Sequence, residues 1–211
     1  MRINQIKEQS DFLTKEKIRI IAHLKADGCI CRTGKGKTNY HIYLELDDVD
    51  ELKRFERDVY LTYGLKCHWV ENRSGKKPSK KNWRVWFRSI LAYSDLKRYG
   101  RYYSHNWDIP FQITGSCKEV KKQFIRTFFG DEGSVIVKQK ELRVYSINLE
   151  GLKQMQKLLE EFSIYSIIRP RYGMKRNVYG IIIRGHNIAR FVEEIGFSCK
   201  KKRDKLSKIK N

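Results

Sequence analysis

A nine-residue pattern occurs twice in this chain, its copies 105 residues apart, and the repeat restricts the chain to folds built from two like halves. The first copy reads Ile20-Ile21-Ala22-His23-Leu24-Lys25-Ala26-Asp27-Gly28 and the second Ile125-Arg126-Thr127-Phe128-Phe129-Gly130-Asp131-Glu132-Gly133. Each reads as a mostly apolar helical segment stopped by glycine, which takes the left-handed conformation at a helix C-terminus without a Cβ penalty. The acid before each glycine has no such explanation. A carboxylate in the last turn faces the negative end of the helix dipole at a cost of about 0.3 to 1 kcal/mol, so Asp27 and Glu132 stand where helix physics disfavours them. A divalent cation shared between them removes the conflict. The alternative is two core helices that merely end in Asp-Gly and Glu-Gly.

The repeat extends beyond the motifs. After the first, Ile30-Cys31-Arg32 and Tyr40 to Leu46 read as strands joined by a polar turn at Gly34 to Lys37. Val49, Leu52, Phe55 and Val59 then recur at helical spacing up to Gly64. A second hairpin spans Leu65 to Val70 and Trp83 to Arg88, and a closing helix runs from about Ala92 to Tyr99. The second half follows the same order: a hairpin at Ser134 to Lys138 and Leu142 to Ile147, a helix at Leu149 to Phe162, a hairpin at Ile164 to Arg169 and Val178 to Arg184, and a helix at Asn187 to Ile195. The lysine-rich loop Asn72 to Asn82 absorbs most of the difference in length. The expected fold is therefore α+β, with two pseudo-symmetric αββαββα halves and antiparallel sheets. The halves are placed at 1–113 and 114–198, with a basic tail at 199–211 and the linker within Arg101 to Ser116.

Charge points to the partner. Lysine and arginine number 45 against 24 acids, a formal charge of +21, of which +9 falls in residues 1–113 and +12 in 114–211. An excess spread over both halves calls for a densely anionic partner, and nucleic acid is the first candidate. A membrane is the competing anion, but no apolar run reaches the about 18 residues of a span, and Met1 to Gln5 does not open a signal peptide. The five cysteines include no CxxC pair, which disfavours zinc and leaves a reducing, cytoplasmic setting as the default.

The two motifs resemble those of LAGLIDADG homing endonucleases in their single-chain form. The resemblance implies that Asp27 and Glu132, each with its glycine, Gly28 or Gly133, bind Mg²⁺ (or Mn²⁺). It also implies side-by-side motif helices flanked by saddle-shaped sheets, each sheet lying over part of a long asymmetric DNA duplex, in a monomer. Ala22 and Ala26 suit close helix packing, whereas Thr127 and Asp131 at the matching positions suit it less. The family adds a lysine or glutamine on the strands near each acid. Lys138 or Lys140 are the candidates in the second half, and Lys35 or Lys37 in the first.

Period-two alternation assigns the strand faces. Ile42, Leu44 and Leu46, with Val85 and Phe87, form a core set. His41, Tyr43, Glu45, Arg84 and Arg88, together with Arg32, Lys138, Lys140, Arg143 and Tyr145, are the candidate DNA contacts. Arginine and lysine read guanine edges and glutamate accepts from cytosine. A solvated sheet face explains any one of these residues; as a group they favour binding. Trp86 falls in the same register but suits a core. The tail from Cys199 reads as a disordered, solvated end or as an unspecific phosphate contact. The expected activity is a sequence-specific, metal-dependent double-strand DNA endonuclease, intron-encoded or free-standing. The alternative is a non-cleaving descendant that binds intron RNA as a splicing maturase or DNA as a regulator.

Overall fold

The structure is a computed structural model, and it describes residues 13–72, 82–171 and 177–209. The segment Met1 to Gln5 and the interior of the lysine-rich loop lie outside the described residues. The chain divides into two compact units, Met1–Tyr102 and Tyr103–Asn211.

In the first unit the order is α1 (Lys15–Ala26), β1 (Gly28–Thr33), β2 (Asn39–Leu46), α2 (Val49–Tyr63), β3 (His68–Asn72), β4 (Asn82–Arg88) and α3 (Ile90–Lys97). The four strands form one antiparallel sheet in the order β1-β2-β4-β3. Helix α2 starts where Asp48 accepts from the amides of Asp50 and Glu51, at 3.1 and 3.3 Å. It buries Leu52, Phe55, Val59 and Tyr63, one stripe at helical spacing, and ends at Gly64 with φ +66°. Opposite them on the sheet, Ile42, Leu44, Leu46, Val85 and Phe87 form the inner face as the alternation predicts.

The second unit repeats this frame. A short α4 (Phe111–Thr114) precedes α5 (Lys118–Glu132), β5 (Gly133–Ile136), β6 (Glu141–Ser146), α6 (Leu149–Glu160), β7 (Ile167–Pro170), β8 (Tyr179–Arg184) and α7 (His186–Glu194). Its sheet runs β5-β6-β8-β7, again antiparallel. The sequence position 113/114 falls inside α4, whereas the compact units part between Tyr102 and Tyr103.

Two expectations change. The strand assigned to Ser134–Lys138 ends at Ile136; Val137–Gln139 is a 3₁₀ turn closed by Lys140 at φ +50°. The tail is not a solvated end: Lys200–Leu206 forms helix α8, which packs on β5 with Cys199 and Leu206 buried. One apolar side chain per turn suffices to seat so short a basic helix on a neighbour.

Candidate metal centre and nucleic-acid interface

Both acids stand where a motif helix turns straight into a strand. Asp27 caps α1, its amide donating to the carbonyl of His23 at 3.0 Å, and Gly28 opens β1. Glu132 ends α5, and Gly133 opens β5 with φ −70°. Neither glycine has a positive φ, so the left-handed cap expected from the sequence is absent at both. Crowding is the reason for glycine instead. A Cβ on Gly28 would lie 2.6 Å from Cα of Leu24 and 3.1 Å from the carbonyl oxygen of Tyr43, and one on Gly133 would collide with the carbonyl oxygen of Phe129. The strand passes so close to the last helical turn that no side chain fits there without a shift.

Thr127 fits the motif helix better than its polarity suggests. Its hydroxyl donates to the Gln123 carbonyl at 3.0 Å, so the group is satisfied although 4% exposed. The hard oxygen donors of Asp27 and Glu132 suit Mg²⁺ or Mn²⁺. Each unit supplies one motif acid, and among the described residues no group of three or more His, Cys, Asp or Glu side chains is arranged to hold an ion by itself.

The candidate lysines lie away from the acids. Lys138 and Lys140 occupy the tip of the β5-β6 hairpin, and Lys35 and Lys37 the tip of β1-β2. Gly133, by contrast, opens β5 at the other end of the ladder, opposite Val144. At about 3.3 Å per residue, the four residues from Gly133 to Val137 carry the tip roughly 13 Å from the acid. The lysines expected on the strands beside the acids thus stand at the hairpin tips.

Register shows which polar groups do share the acids' end. In the first sheet Gly28 faces Leu44 and Val85, and the next residues along are Glu45 and Arg84, directly paired across the strands. The Arg84 guanidinium donates to Glu45 at 2.8 and 3.2 Å and lies 4.5 Å over the Tyr43 ring. In the second sheet Gly133 faces Val144 and Ile181, and the next row is Tyr145, Gly180 and Arg169. Tyr145 accepts from Arg143 at 2.9 Å and carries the Arg171 guanidinium 4.5 Å over its ring. Gly180 makes room for that ring, which a Cβ would meet at 2.8 Å. Arg169 and Arg171 were missed in the sequence, although alternation back from Ile168 puts both on the outer face.

The outer face of the first sheet is a lattice of cations and rings. Trp86 stacks on His68 at 4.3 Å, lies 5.1 Å from His41, and has the Arg88 guanidinium 5.2 Å over it. Trp86 is therefore an outer-face residue and not the core residue its type suggested. Arg32 is the opposite correction. It pairs with Tyr40 and shares the parity of Ile30 and Ile42, the helix side of the sheet, and donates to the Lys37 carbonyl at 2.8 Å. It does not join the face of His41, Tyr43, Glu45, Arg84 and Arg88.

Electrostatics follow from this crowding. Partial burial, then Arg88 and Arg84, hold the His41 imidazole below its ordinary value. Burial and a hydrogen bond with Cys29 raise the Tyr43 phenol, so it stays a neutral donor. The neighbouring Cys31 thiol is pushed up to about 11 by burial and by Cys29. On the second sheet the buried Glu141 takes ion pairs from both Arg143 and Arg184, and Arg143 also donates to Gln139 at 2.7 Å. Burial works against the Arg143 charge, but its bonds to Tyr145 and Glu141 outweigh it and the pKa rises.

Comparison with known proteins places this geometry. Residues 119–196 match a family profile described as a LAGLIDADG-like domain. Over 97% of the chain and 91% of the other, the structure superposes on the homing endonuclease I-WcaI bound to its DNA recognition sequence, with a TM-score of 0.68 and 15% identity. For I-DmoI in complex with DNA and Mn the coverage is 86% and 96%, the TM-score 0.65 and the identity 16%. Full-length DUF199/WhiA from Thermatoga maritima matches with a TM-score of 0.57 at 17% identity, over 96% of this chain and 64% of that one. Two Methanocaldococcus jannaschii proteins are similar in sequence. A probable translation initiation factor IF-2 is 32% identical over 110 residues, and the DNA-directed RNA polymerase subunit Rpo1C is 27% identical over 172. These matches take in 50% and 79% of this chain but only 10% and 19% of those proteins.

Proposed function

This chain has the LAGLIDADG fold in its single-chain, two-motif form, with a LAGLIDADG-like domain at 119–196, and from that premise we propose that it is a sequence-specific, metal-dependent DNA endonuclease. One observation carries the reading: in both units the strand following the motif helix passes too close to the last turn for any residue but glycine, so two carboxylates are fixed at equivalent helix ends. Mg²⁺ or Mn²⁺ would be held at Asp27 in the first unit and at Glu132 in the second, and when bound would supply an activated water and neutralise the scissile phosphate. The chain's own residues supply binding. Arg84, Arg88, Arg143, Arg169 and Arg171 present guanidinium groups on outer sheet faces, and Glu45 and Glu141 orient two of them for base or phosphate contact.

The sequence relatives support mobility. An initiation factor and a polymerase subunit share no activity, yet each resembles this chain over a small part of its length. A segment found in unrelated hosts behaves as an insert with its own function, as a homing nuclease requires. The second reading is a non-cleaving descendant that binds DNA or intron RNA, and the position of the lysines at the hairpin tips favours it. Incubation with Mg²⁺ and a duplex spanning the chain's own locus without the insertion separates the two. A double-strand break supports the nuclease; tight binding without a break under Mg²⁺ and Mn²⁺ supports the descendant.

A further inference from the structure

The second unit carries a cation of its own at the end of its motif helix. Lys202 donates from its ammonium to the carbonyl oxygens of Phe129 at 3.2 Å, of Gly130, and of Asp131 at 3.0 Å. These carbonyls are the C-terminal pole of α5, and the residue after them is Glu132. The ammonium is held in place: α8 is anchored on β5 by buried Cys199 and Leu206, and Nζ lies 5.8 Å from the centroid of Phe197. In the first unit the nearby lysine belongs to the motif helix itself and turns elsewhere. Lys25 donates to the Arg101 carbonyl at 2.8 Å and lies 4.2 Å over the Tyr102 ring.

A carboxylate beside helix-terminal carbonyls is the conflict that a divalent ion would relieve, and a tethered ammonium relieves it too. We propose that Lys202 is a positioning residue of the second centre: a tethered cation that neutralises the end of α5 beside Glu132 and, by its charge, weakens the binding of a divalent ion there. The physical balance has a definite sign. Removing the ammonium takes one donor from each of three carbonyls, of which that of Phe129 still accepts from the Gly133 amide, and loosens the last turn, while a dication approaching Glu132 no longer meets a like charge. The tail is thereby divided in role. Lys202 serves the centre, while the exposed Lys201, Lys205 and Lys208 remain for phosphate contact. The inference rests on the nuclease reading only in taking Mg²⁺ or Mn²⁺ as the ion.

The test compares Lys202→Met with Lys205→Met in the full chain, by amide exchange without metal and by Mn²⁺ broadening of the Gly28 and Gly133 amide resonances without DNA. K202M should exchange Glu132 and Gly133 amides about two- to fivefold faster. It should also lower the Mn²⁺ concentration that half-broadens Gly133 roughly three- to tenfold. Gly28 and K205M should be unchanged, and Lys202→Arg should behave as the parent chain. Should K202M not fold, Lys202→Gln, which keeps a neutral donor, should show the Mn²⁺ effect. K202M matching K205M in both measurements, or weakening the Mn²⁺ response at Gly133, overturns the proposal. Broadening of neither glycine in the parent chain ends the metal reading, and the exchange arm still decides the role of Lys202.

Discussion

The two units build the same frame from different materials. Beneath its motif helix the first unit places ions: Lys17, fully buried, pairs with Asp95 at 2.8 Å, and the Tyr63 hydroxyl donates to the same carboxylate at 2.7 Å. Arg19 grips Asp58 through two bonds of 2.7 and 2.5 Å, tying α1 to α2. The second unit keeps one such tie, the Lys121 ammonium on Glu161, and otherwise places rings there. Phe124 and Phe128 stack at 6.2 Å, Trp107 lies 4.9 Å from Phe128, and Phe129, Phe191 and Phe197 form a chain with centroids 5.1 and 5.4 Å apart. The contrast teaches that helix, hairpin and glycine positions are set by the fold, while the filling is free to be polar or aromatic provided every buried charge is paired.

The largest effects should come from breaking each filling. Asp95→Ala takes the carboxylate away from the buried Lys17 ammonium, and should cost about 3 to 5 kcal/mol in chemical denaturation. Phe129→Ala should cost about 3 to 5 kcal/mol through lost burial and the cavity left behind. Conservative replacements separate the two kinds of filling by their chemistry. Asp95→Asn should remain far below the parent in stability, because the amide is neutral, whereas Phe129→Leu should recover most of the loss. Equal recovery by both conservative replacements would show that charge is incidental in the first unit.

The outer faces differ in the same sense. Arg84→Ala releases Glu45, which is only partly buried, whereas Arg143→Ala strips one of two partners from Glu141, which is 2% exposed. Each should relax preference at one position of the DNA site by about 1 to 3 kcal/mol in a substitution scan. Only the second should also lower the melting temperature of the free protein. A smaller effect belongs to the first face alone. His41 is held below its ordinary value, so it is neutral at pH 7 in the free protein, and a nearby phosphate would restore its proton. Binding that raises a pKa takes up a proton, so affinity should rise as the pH falls from about 7 to 6. His41→Gln should remove that part of the slope, seen in fluorescence anisotropy at fixed salt.

Much of this frame was legible in the sequence because it is periodic. Leu52, Phe55 and Val59 declare a helix, and Ile42, Leu44 and Leu46 a half-buried strand, without knowledge of neighbours. The same parity places Arg32 with Ile30 in β1. The reason for Gly28 and Gly133 was not legible, since crowding against Leu24 and Phe129 appears only when the strand folds back on its helix. The placement of the lysines was hidden for a related reason. Closeness to Glu132 in sequence becomes distance once β5 extends, while Lys202, 70 residues further on, arrives at the last turn of α5. Tail composition suggested disorder, and buried Cys199 and Leu206, with the Lys202 bonds to α5, decide otherwise.

The central claim is that Asp27 and Glu132 serve chemistry and not folding. Asp27→Asn keeps the shape and removes the charge, so its cleavage and binding of a duplex from the uninterrupted locus, measured side by side in Mg²⁺, test that claim most directly. Cleavage should be lost while binding and melting temperature stay close to those of the parent chain, because the sheet faces carry the affinity. Unchanged cleavage, or binding and cleavage lost together, would contradict it.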